Sequence, residues 1–178
     1  MADIKTEIKR SSAFSAHIEA VIEKEGGYRL TDIKDDRGGR TYAGISQRTH
    51  PQWLGWQAID RGNIPPVSSV HDLYKANYWD PLRLDEVKSD HVAGVLFSCA
   101  VLSGIGVAAR LAQAVLKVKA DGILGGQTLA ALNTSNPDLF VAHFSLARIA
   151  RFCGIVAKNP KQIKFLRGWV NRVLEEVG

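Results

Sequence analysis

The sequence is poor in the residues that build covalent and metal frameworks. Its 178 residues include two cysteines, one methionine and five scattered histidines. Cys99 lies in an apolar run, so we expect a buried free thiol there and no disulfide with Cys153. The His and Cys residues show no metal-ligand spacing, and no metal or cofactor is expected. A disulfide-rich scaffold and a metalloenzyme are therefore both disfavoured.

Long apolar segments are also scarce. The first ten residues, MADIKTEIKR, alternate in charge and lack the apolar core of a secretory signal, so no signal peptide is expected. Residues 92–109 are uncharged over 18 positions, the lower limit for a membrane span. Because Ser-Gly-Ile-Gly interrupts them at 103–106, we expect a buried helix, a turn and the start of another helix there.

The composition predicts a globular protein, and the charged residues give it a modest basic excess. Hydrophobic residues make up 46% of the chain, and 23 Lys and Arg against 18 Asp and Glu give a net charge of +5. This excess suits nucleic acid, membrane surfaces or bacterial wall polymers and does not choose among them. No nucleic-acid-binding motif occurs, so nucleic acid is not expected as a partner. Nothing in the sequence requires more than a monomer.

The stretch Glu25-Gly26-Gly27-Tyr28 places a carboxylate at a predicted helix end. Glu25 falls within an apolar stripe of helical spacing, whereas Glu19 and Glu23 point to the solvent side of the same helix. Desolvation disfavours a charged carboxylate, and enzymes use such surroundings for an acid that must hold a proton at neutral pH. A helix-terminal glutamate that reaches into solvent is the alternative. The stripe comprises Phe14, Ile18, Val21 and Ile22.

A glycine-rich polar segment follows at 35–41, Asp-Asp-Arg-Gly-Gly-Arg-Thr, and the run Thr41–Ile45 favours a small β-hairpin. Gly44 is expected to permit a close backbone approach. Glycosidic bond hydrolysis needs a protonated acid for the leaving oxygen and a second, ionised group that handles water or developing positive charge. Asp36, Asp35 and Asp32 compete for that second role.

Four motifs stand in order along the chain: EGGY at 25–28, DxGGxT at 36–41, YxxxYWDP at 74–81, and LAQAVLKVKADGILGGQTLAAL at 111–132. Together they resemble the muramidases of glycoside hydrolase family 108, a group that contains many phage endolysins. The last motif is similar to the helical peptidoglycan-binding segment of those proteins. The resemblance covers residues 15–135.

The resemblance implies a mainly α (α+β), lysozyme-like helical fold with a small β-hairpin element. A catalytic lobe at 11–88 and a helical lobe at 89–178, resembling a peptidoglycan-binding segment, are expected to pack as one compact body. The implied reaction is hydrolysis of the β-1,4 bond between N-acetylmuramic acid and N-acetylglucosamine. Glu25 is then the general acid, Asp36 and Thr41 assist it, and Tyr28 and Tyr42 stack on sugar rings.

The chain departs from the family pattern in its central helix. Where the family often has FDxAVNSG, residues 97–104 read FSCAVLSG, and the loss of two polar groups is expected to leave this helix drier. Arg37 also replaces the usual proline before Gly-Gly. Two alternatives stay open: a lytic transglycosylase that uses Glu25 alone, and an inactive peptidoglycan-binding or phage structural module. The DGxxGxxT turn, Asp121–Thr128, either contacts ligand or only connects helices.

The resemblance to endolysins also implies a cellular setting. Such an antimicrobial, host-lysing enzyme would stay in the bacterial cytoplasm until a holin-type membrane pore gives it access to the periplasm and wall. Lys158, Lys161 and Lys164 are candidates for attraction to an anionic envelope surface. The alternative is a solvated helix face that also carries Arg172, Glu175 and Glu176.

Overall fold

The computed structural model describes residues 2–32 and 39–177, and this part of the chain is mainly helical. It contains a small antiparallel sheet in the order β1-β2-β3. The predicted mainly helical fold with a small β element is confirmed. The strands are β1 (Leu30–Thr31), β2 (Thr41–Tyr42) and β3 (Ile45–Ser46). The helices are α1 (Ala2–Lys24), α2 (Gly55–Asp60), α3 (Val67–Tyr74), α4 (Asp90–Ser103), α5 (Ile105–Leu116), α6 (Gly126–Thr134), α7 (Pro137–Lys158) and α8 (Ile163–Val177).

The chain divides into two compact units, Met1–Asp80 and Pro81–Gly178. The first unit contains α1, the sheet, α2 and α3, and the second contains α4 to α8. Family resemblance had suggested a division after residue 88, and the packing of lobes 11–88 and 89–178 as one body stays a prediction.

The core of the first unit forms around the apolar stripe of α1, which is buried as its spacing predicts. The ring of Trp79 is fully buried and meets Phe14 edge to face, with ring centroids 5.3 Å apart. Trp53 and Trp56 also pack edge to face, at 5.2 Å, behind the sheet residue Tyr42. The stripe therefore fixes the direction in which α1 ends and, with it, the position of Glu25.

The second unit is built around α4, whose residues 92–100 are all buried. Ser89 begins this helix by accepting a hydrogen bond from the backbone N–H of Val92 at 3.3 Å. Gly104, with φ 93°, then separates α4 from α5. The predicted buried helix, turn and second helix within residues 92–109 are confirmed.

A buried ion pair ties α7 to α8. The Arg148 side chain is 1% exposed and donates from Nη1 to Glu176 Oε2 at 2.5 Å. Ser98 of α4 donates to the other oxygen, Glu176 Oε1, at 2.5 Å, and His91 Nε2 lies 2.7 Å from the Glu176 carbonyl oxygen. A carboxylate from α8 therefore reaches the buried Ser98 of α4, and the expectation that this helix is drier than in the family stays a prediction.

The same contacts correct the interpretation of the last helix. The side chains of Arg172 and Glu176 are only 12% and 10% exposed and approach within 4.0 Å, so they do not belong to a solvated face. The wheel of a single helix placed them there because it contains no information about Arg148 on the neighbouring helix.

Helix α7 begins at Pro137, and the side chain of Asn136 caps it by accepting from the backbone N–H of Leu139 at 2.9 Å. By length and composition alone, α7 is the one helix among the described residues that could cross a membrane. In this fold it packs against α4, α5 and α8 and carries the buried Arg148.

Candidate active site

Glu25 directly follows α1, which ends at Lys24, and two glycines fix the turn that comes next. The Gly27 N–H donates to the Ile22 carbonyl at 2.9 Å and the Gly26 N–H to the Glu23 carbonyl at 3.1 Å. Both glycines have positive φ, 102° and 70°, so the pattern is a Schellman C-cap with Glu25 at the cap position. Its side chain is half-buried. The glycines of EGGY thus hold the carboxylate at a defined helix end.

The turn between β2 and β3 lies directly against Glu25. Tyr42 pairs with Ile45, which leaves Ala43 and Gly44 as a two-residue loop with φ of 49° and 76°. Positive φ at both positions is what a type I′ hairpin turn requires. A Cβ added to Gly44 would lie 2.8 Å from Glu25 Cβ and 2.5 Å from Tyr74 Oη. The close backbone approach predicted at Gly44 is confirmed.

Two tyrosines of the YxxxYWDP motif complete this cluster. Tyr74 is the last residue of α3, is 2% exposed, and donates from Oη to the Ala43 carbonyl at 2.9 Å. Lys75–Trp79 then form a π-helical turn, a distortion often found at functional sites. Tyr78 lies on that turn, and burial, with a smaller contribution from the charge of Glu25, raises the pKa of Tyr78 above its ordinary value of 10.0. Its hydroxyl therefore keeps its proton to a higher pH than a free tyrosine does.

Tyr28 forms a polar cluster with Glu19 and His71. Its hydroxyl donates to the two Glu19 carboxylate oxygens at 3.0 and 3.2 Å and lies 3.1 Å from His71 Nε2. His71 Nε2 in turn lies 2.8 Å from Glu19 Oε1. Burial and the hydrogen bond to Glu19 raise the pKa of Tyr28 above 10.0. Its hydroxyl is thus engaged by protein groups, and its stacking on a sugar stays a prediction.

The other predicted site residues lie in different surroundings. Thr41 is half-buried in β2, whereas Tyr42 is 6% exposed and stacks on Trp53 with ring centroids 6.0 Å apart. This packing favours a core role for the Tyr42 ring. Asp36 and its competitor Asp35 lie outside the described residues. Asp32 is described and exposed just after β1.

Sequence reasoning missed Tyr74, Tyr78 and His71 as neighbours of the site. The YxxxYWDP motif had marked the two tyrosines as part of a family feature, but neither was named as a site residue. No sequence signal identified His71, since its partners Glu19 and Tyr28 lie 52 and 43 positions away.

In the second unit, the DGxxGxxT turn is closed by the buried side chain of Gln113. Its Nε2 donates to Asp121 Oδ1 at 2.7 Å, to the Ile123 carbonyl at 2.9 Å and to Thr128 Oγ1 at 3.2 Å. Its Oε1 accepts from the Gly122 N–H at 2.9 Å. These contacts lower the pKa of Asp121, with the hydrogen bond from Gln113 as the largest cause. The motif therefore acts as a helix connector in this structure.

The basic excess of the chain lies entirely in the second unit. Residues 1–80 contain eleven Lys and Arg and eleven Asp and Glu, whereas residues 81–178 contain twelve and seven, a net charge of +5. Lys158 ends α7, Lys161 lies in the 3₁₀ turn Pro160–Gln162, and Lys164 lies in the first turn of α8. All three are exposed, so the α7–α8 connection presents a cationic surface.

Comparisons with known proteins divide the chain at the break between α4 and α5, and not at the boundary of the compact units after Asp80. The family model described as Glycosyl hydrolase 108 matches residues 18–104, and the one described as Predicted Peptidoglycan domain matches residues 107–174. The solved structure of SagA from Brucella abortus is similar, with a TM-score of 0.73 and 26% sequence identity over 94% of this chain and 92% of that chain. No curated protein sequence matches the chain.

Proposed function

Residues 18–104 make this chain a member of the glycosyl hydrolase 108 family, a glycoside hydrolase acting on peptidoglycan, and we propose that it is an N-acetylmuramidase with Glu25 as general acid. The proposal is that it cleaves the β-1,4 bond between N-acetylmuramic acid and N-acetylglucosamine. The observation that supports it most is the fixed position of Glu25, which caps α1 beside the Ala43–Gly44 hairpin turn. General acid catalysis by such a group contributes about 10²- to 10⁴-fold.

In the proposed reaction, Glu25 gives its proton to the glycosidic oxygen as the bond to the anomeric carbon breaks. A second group then directs water to that carbon or stabilises its positive charge. Asp36 with Thr41 is the proposed pair for this role, on the strength of the DxGGxT motif.

The experiment that tests the bond is mass spectrometry of the muropeptides released from purified peptidoglycan. Reducing N-acetylmuramic acid ends are expected. Anhydro-muramic acid ends would select a lytic transglycosylase, and reducing N-acetylglucosamine ends would move cleavage to the other bond. If the folded protein binds peptidoglycan and releases nothing, it is a binding module.

A second proposal concerns the cationic surface of Lys158, Lys161 and Lys164. It attracts the enzyme to an anionic envelope polymer, in agreement with the net charge of +5 on residues 81–178. Changing all three lysines to glutamine should weaken binding to cell envelopes at low salt and reduce its salt dependence. The matched control changes the exposed Lys24, Lys88 and Lys119 to glutamine. Equal binding by the two triple variants would refute the assignment.

The proposed biological role is that of an endolysin, and it rests on the resemblance to phage muramidases. The enzyme would collect in the bacterial cytoplasm and reach the wall when a holin-type pore opens. Expression in bacteria with and without a co-expressed pore protein tests this role. Lysis is expected only with the pore, and equal lysis in its absence would contradict the proposed route.

A further inference from the structure

The Ala43–Gly44 turn touches the side chain of Glu25 more closely than any residue other than glycine would allow. A Cβ at Gly44 would stand 2.8 Å from Glu25 Cβ and 3.2 Å from Glu25 Cγ. Contacts below 3.0 Å force something to shift, and here both neighbours are the stem of the candidate acid. The backbone of the turn therefore packs directly against the Glu25 side chain.

The Ala43–Gly44 turn is only weakly stabilised by its own backbone and by the strands beside it. Ala43 has a Cβ yet adopts φ 49°, a left-handed conformation that costs free energy for every residue except glycine. The strands on either side, β2 and β3, are two residues each, so the ladder that holds the turn is short. A strained turn persists only when surrounding contacts fix it, and such turns cluster at functional sites.

The hydroxyl of Tyr74 provides that contact. It donates to the carbonyl of Ala43, the strained residue, across 2.9 Å in a buried environment. Tyr74 itself is 2% exposed and is fixed at the end of α3. The same hydroxyl would lie 2.5 Å from a Cβ on Gly44, so it contacts both residues of the turn. A chain of direct contacts thus connects α3, the turn and Glu25.

We propose that Tyr74 is a positioning residue for Glu25, which acts by clamping the Ala43–Gly44 turn against the acid. The proposal rests on the proposed function, because it assumes that Glu25 is the general acid. An acid must be held within hydrogen-bond reach of the oxygen that it protonates, and a displacement of about 1 Å can cost about 10²-fold in rate. Tyr74 makes no contribution to substrate binding in this scheme.

The test is Tyr74→Phe in the full-length chain, with kcat and KM measured on purified peptidoglycan glycan strands. Loss of the hydroxyl leaves the buried Ala43 carbonyl without its donor, and the turn is expected to move away from that site. We expect kcat to fall by about ten- to a hundredfold with KM unchanged. The limb of the pH–rate profile that reports loss of the acid's proton should also move, which a merely structural role would not cause.

Ser69→Ala is the matched control, because it removes a hydroxyl that donates to a backbone carbonyl, that of Pro66 at 2.7 Å, on the same helix α3. It should leave kcat and the pH profile unchanged. Ala43→Gly, added to Tyr74→Phe, should restore part of kcat, since glycine adopts positive φ without strain.

The outcomes separate this proposal from the proposed function. An inactive wild-type protein would contradict the proposed function itself. If the wild type is active and Glu25→Gln is not, but Tyr74→Phe retains the kcat of Ser69→Ala, the positioning role is refuted. Failure of Tyr74→Phe to fold, with and without Ala43→Gly, would assign the hydroxyl to folding and would also overturn the proposal.

Discussion

Replacing Glu176 by glutamine should strongly destabilise the second unit. The substitution keeps the shape of the side chain and removes its charge, so the Arg148 guanidinium, 1% exposed, loses the carboxylate to which it donates. Breaking a buried ion pair by removing one partner costs about 3–5 kcal/mol, because the remaining charge stays buried without compensation. For a chain of this size about 1 kcal/mol lowers Tm by about 2–4 °C, so Tm should fall by about 6–20 °C.

The assay is thermal and urea unfolding followed by far-UV circular dichroism. Glu175→Gln is the matched control, because the neighbouring Glu175 is exposed and an exposed ion pair contributes about 0–1 kcal/mol. Ser98→Asp should recover part of the loss in Glu176→Gln, since Ser98 Oγ lies 2.5 Å from Glu176 Oε1 and an aspartate there returns a carboxylate to the same site. If Glu176→Gln and Glu175→Gln have the same Tm, the account of the buried pair is wrong.

Three further predictions concern titration and the helix connector. Burial raises the pKa of the Cys99 thiol to about 11, whereas Cys153 is exposed. At pH 8 a thiol reagent should therefore react rapidly with one thiol in the native protein, that of Cys153, and with two after unfolding. Two fast-reacting thiols in the native state would contradict this. Three native tyrosines have pKa values raised above 10.0, so the native state holds their protons more tightly than the unfolded state. The stability that this contributes is fully present below pH 10 and is lost as pH rises through the native pKa values, and phenolate absorbance should appear at higher pH in the native than in the unfolded protein. Gln113→Leu should lower the free energy of unfolding by about 1–3 kcal/mol, since it removes the hydrogen bonds of this buried side chain to the buried Thr128 hydroxyl and the half-buried Gly122 N–H; a loss below about 0.5 kcal/mol would show that the connector does not depend on it. The tyrosines concerned are Tyr28, Tyr42 and Tyr78.

The helix ends and breaks could be predicted from the sequence because local chemistry determines them. The apolar stripe of α1 placed Glu25 at a half-buried position, and Gly26-Gly27 predicted the end of the helix beside it. The Ser-Gly-Ile-Gly interruption likewise predicted the separation of α4 from α5, where Gly104 adopts φ 93°. In each case the deciding interactions are within a few residues of one another.

The contact that holds the hairpin turn of the site and the ion pair of the second unit could not be predicted in this way, because each joins residues far apart in the sequence. Tyr74 and Ala43 are 31 residues apart, and Arg148 and Glu176 are 28 apart. For Tyr42, proximity in sequence gave no information about the stacking of its ring on Trp53, because the side chains of a strand alternate between its faces; its stacking on a sugar stays a prediction. The roles of Asp36 and Thr41 stay predictions.

The most direct test of the central claim compares Glu25→Gln with Glu23→Gln in hydrolysis of purified peptidoglycan. The two glutamates lie two positions apart, and Glu23 is exposed on the last turn of α1, so the substitutions change net charge equally. With folding confirmed by circular dichroism, Glu23→Gln should keep wild-type activity and Glu25→Gln should lose at least about a hundredfold in kcat. Equal activity of the two variants would contradict the claim that Glu25 is the catalytic acid.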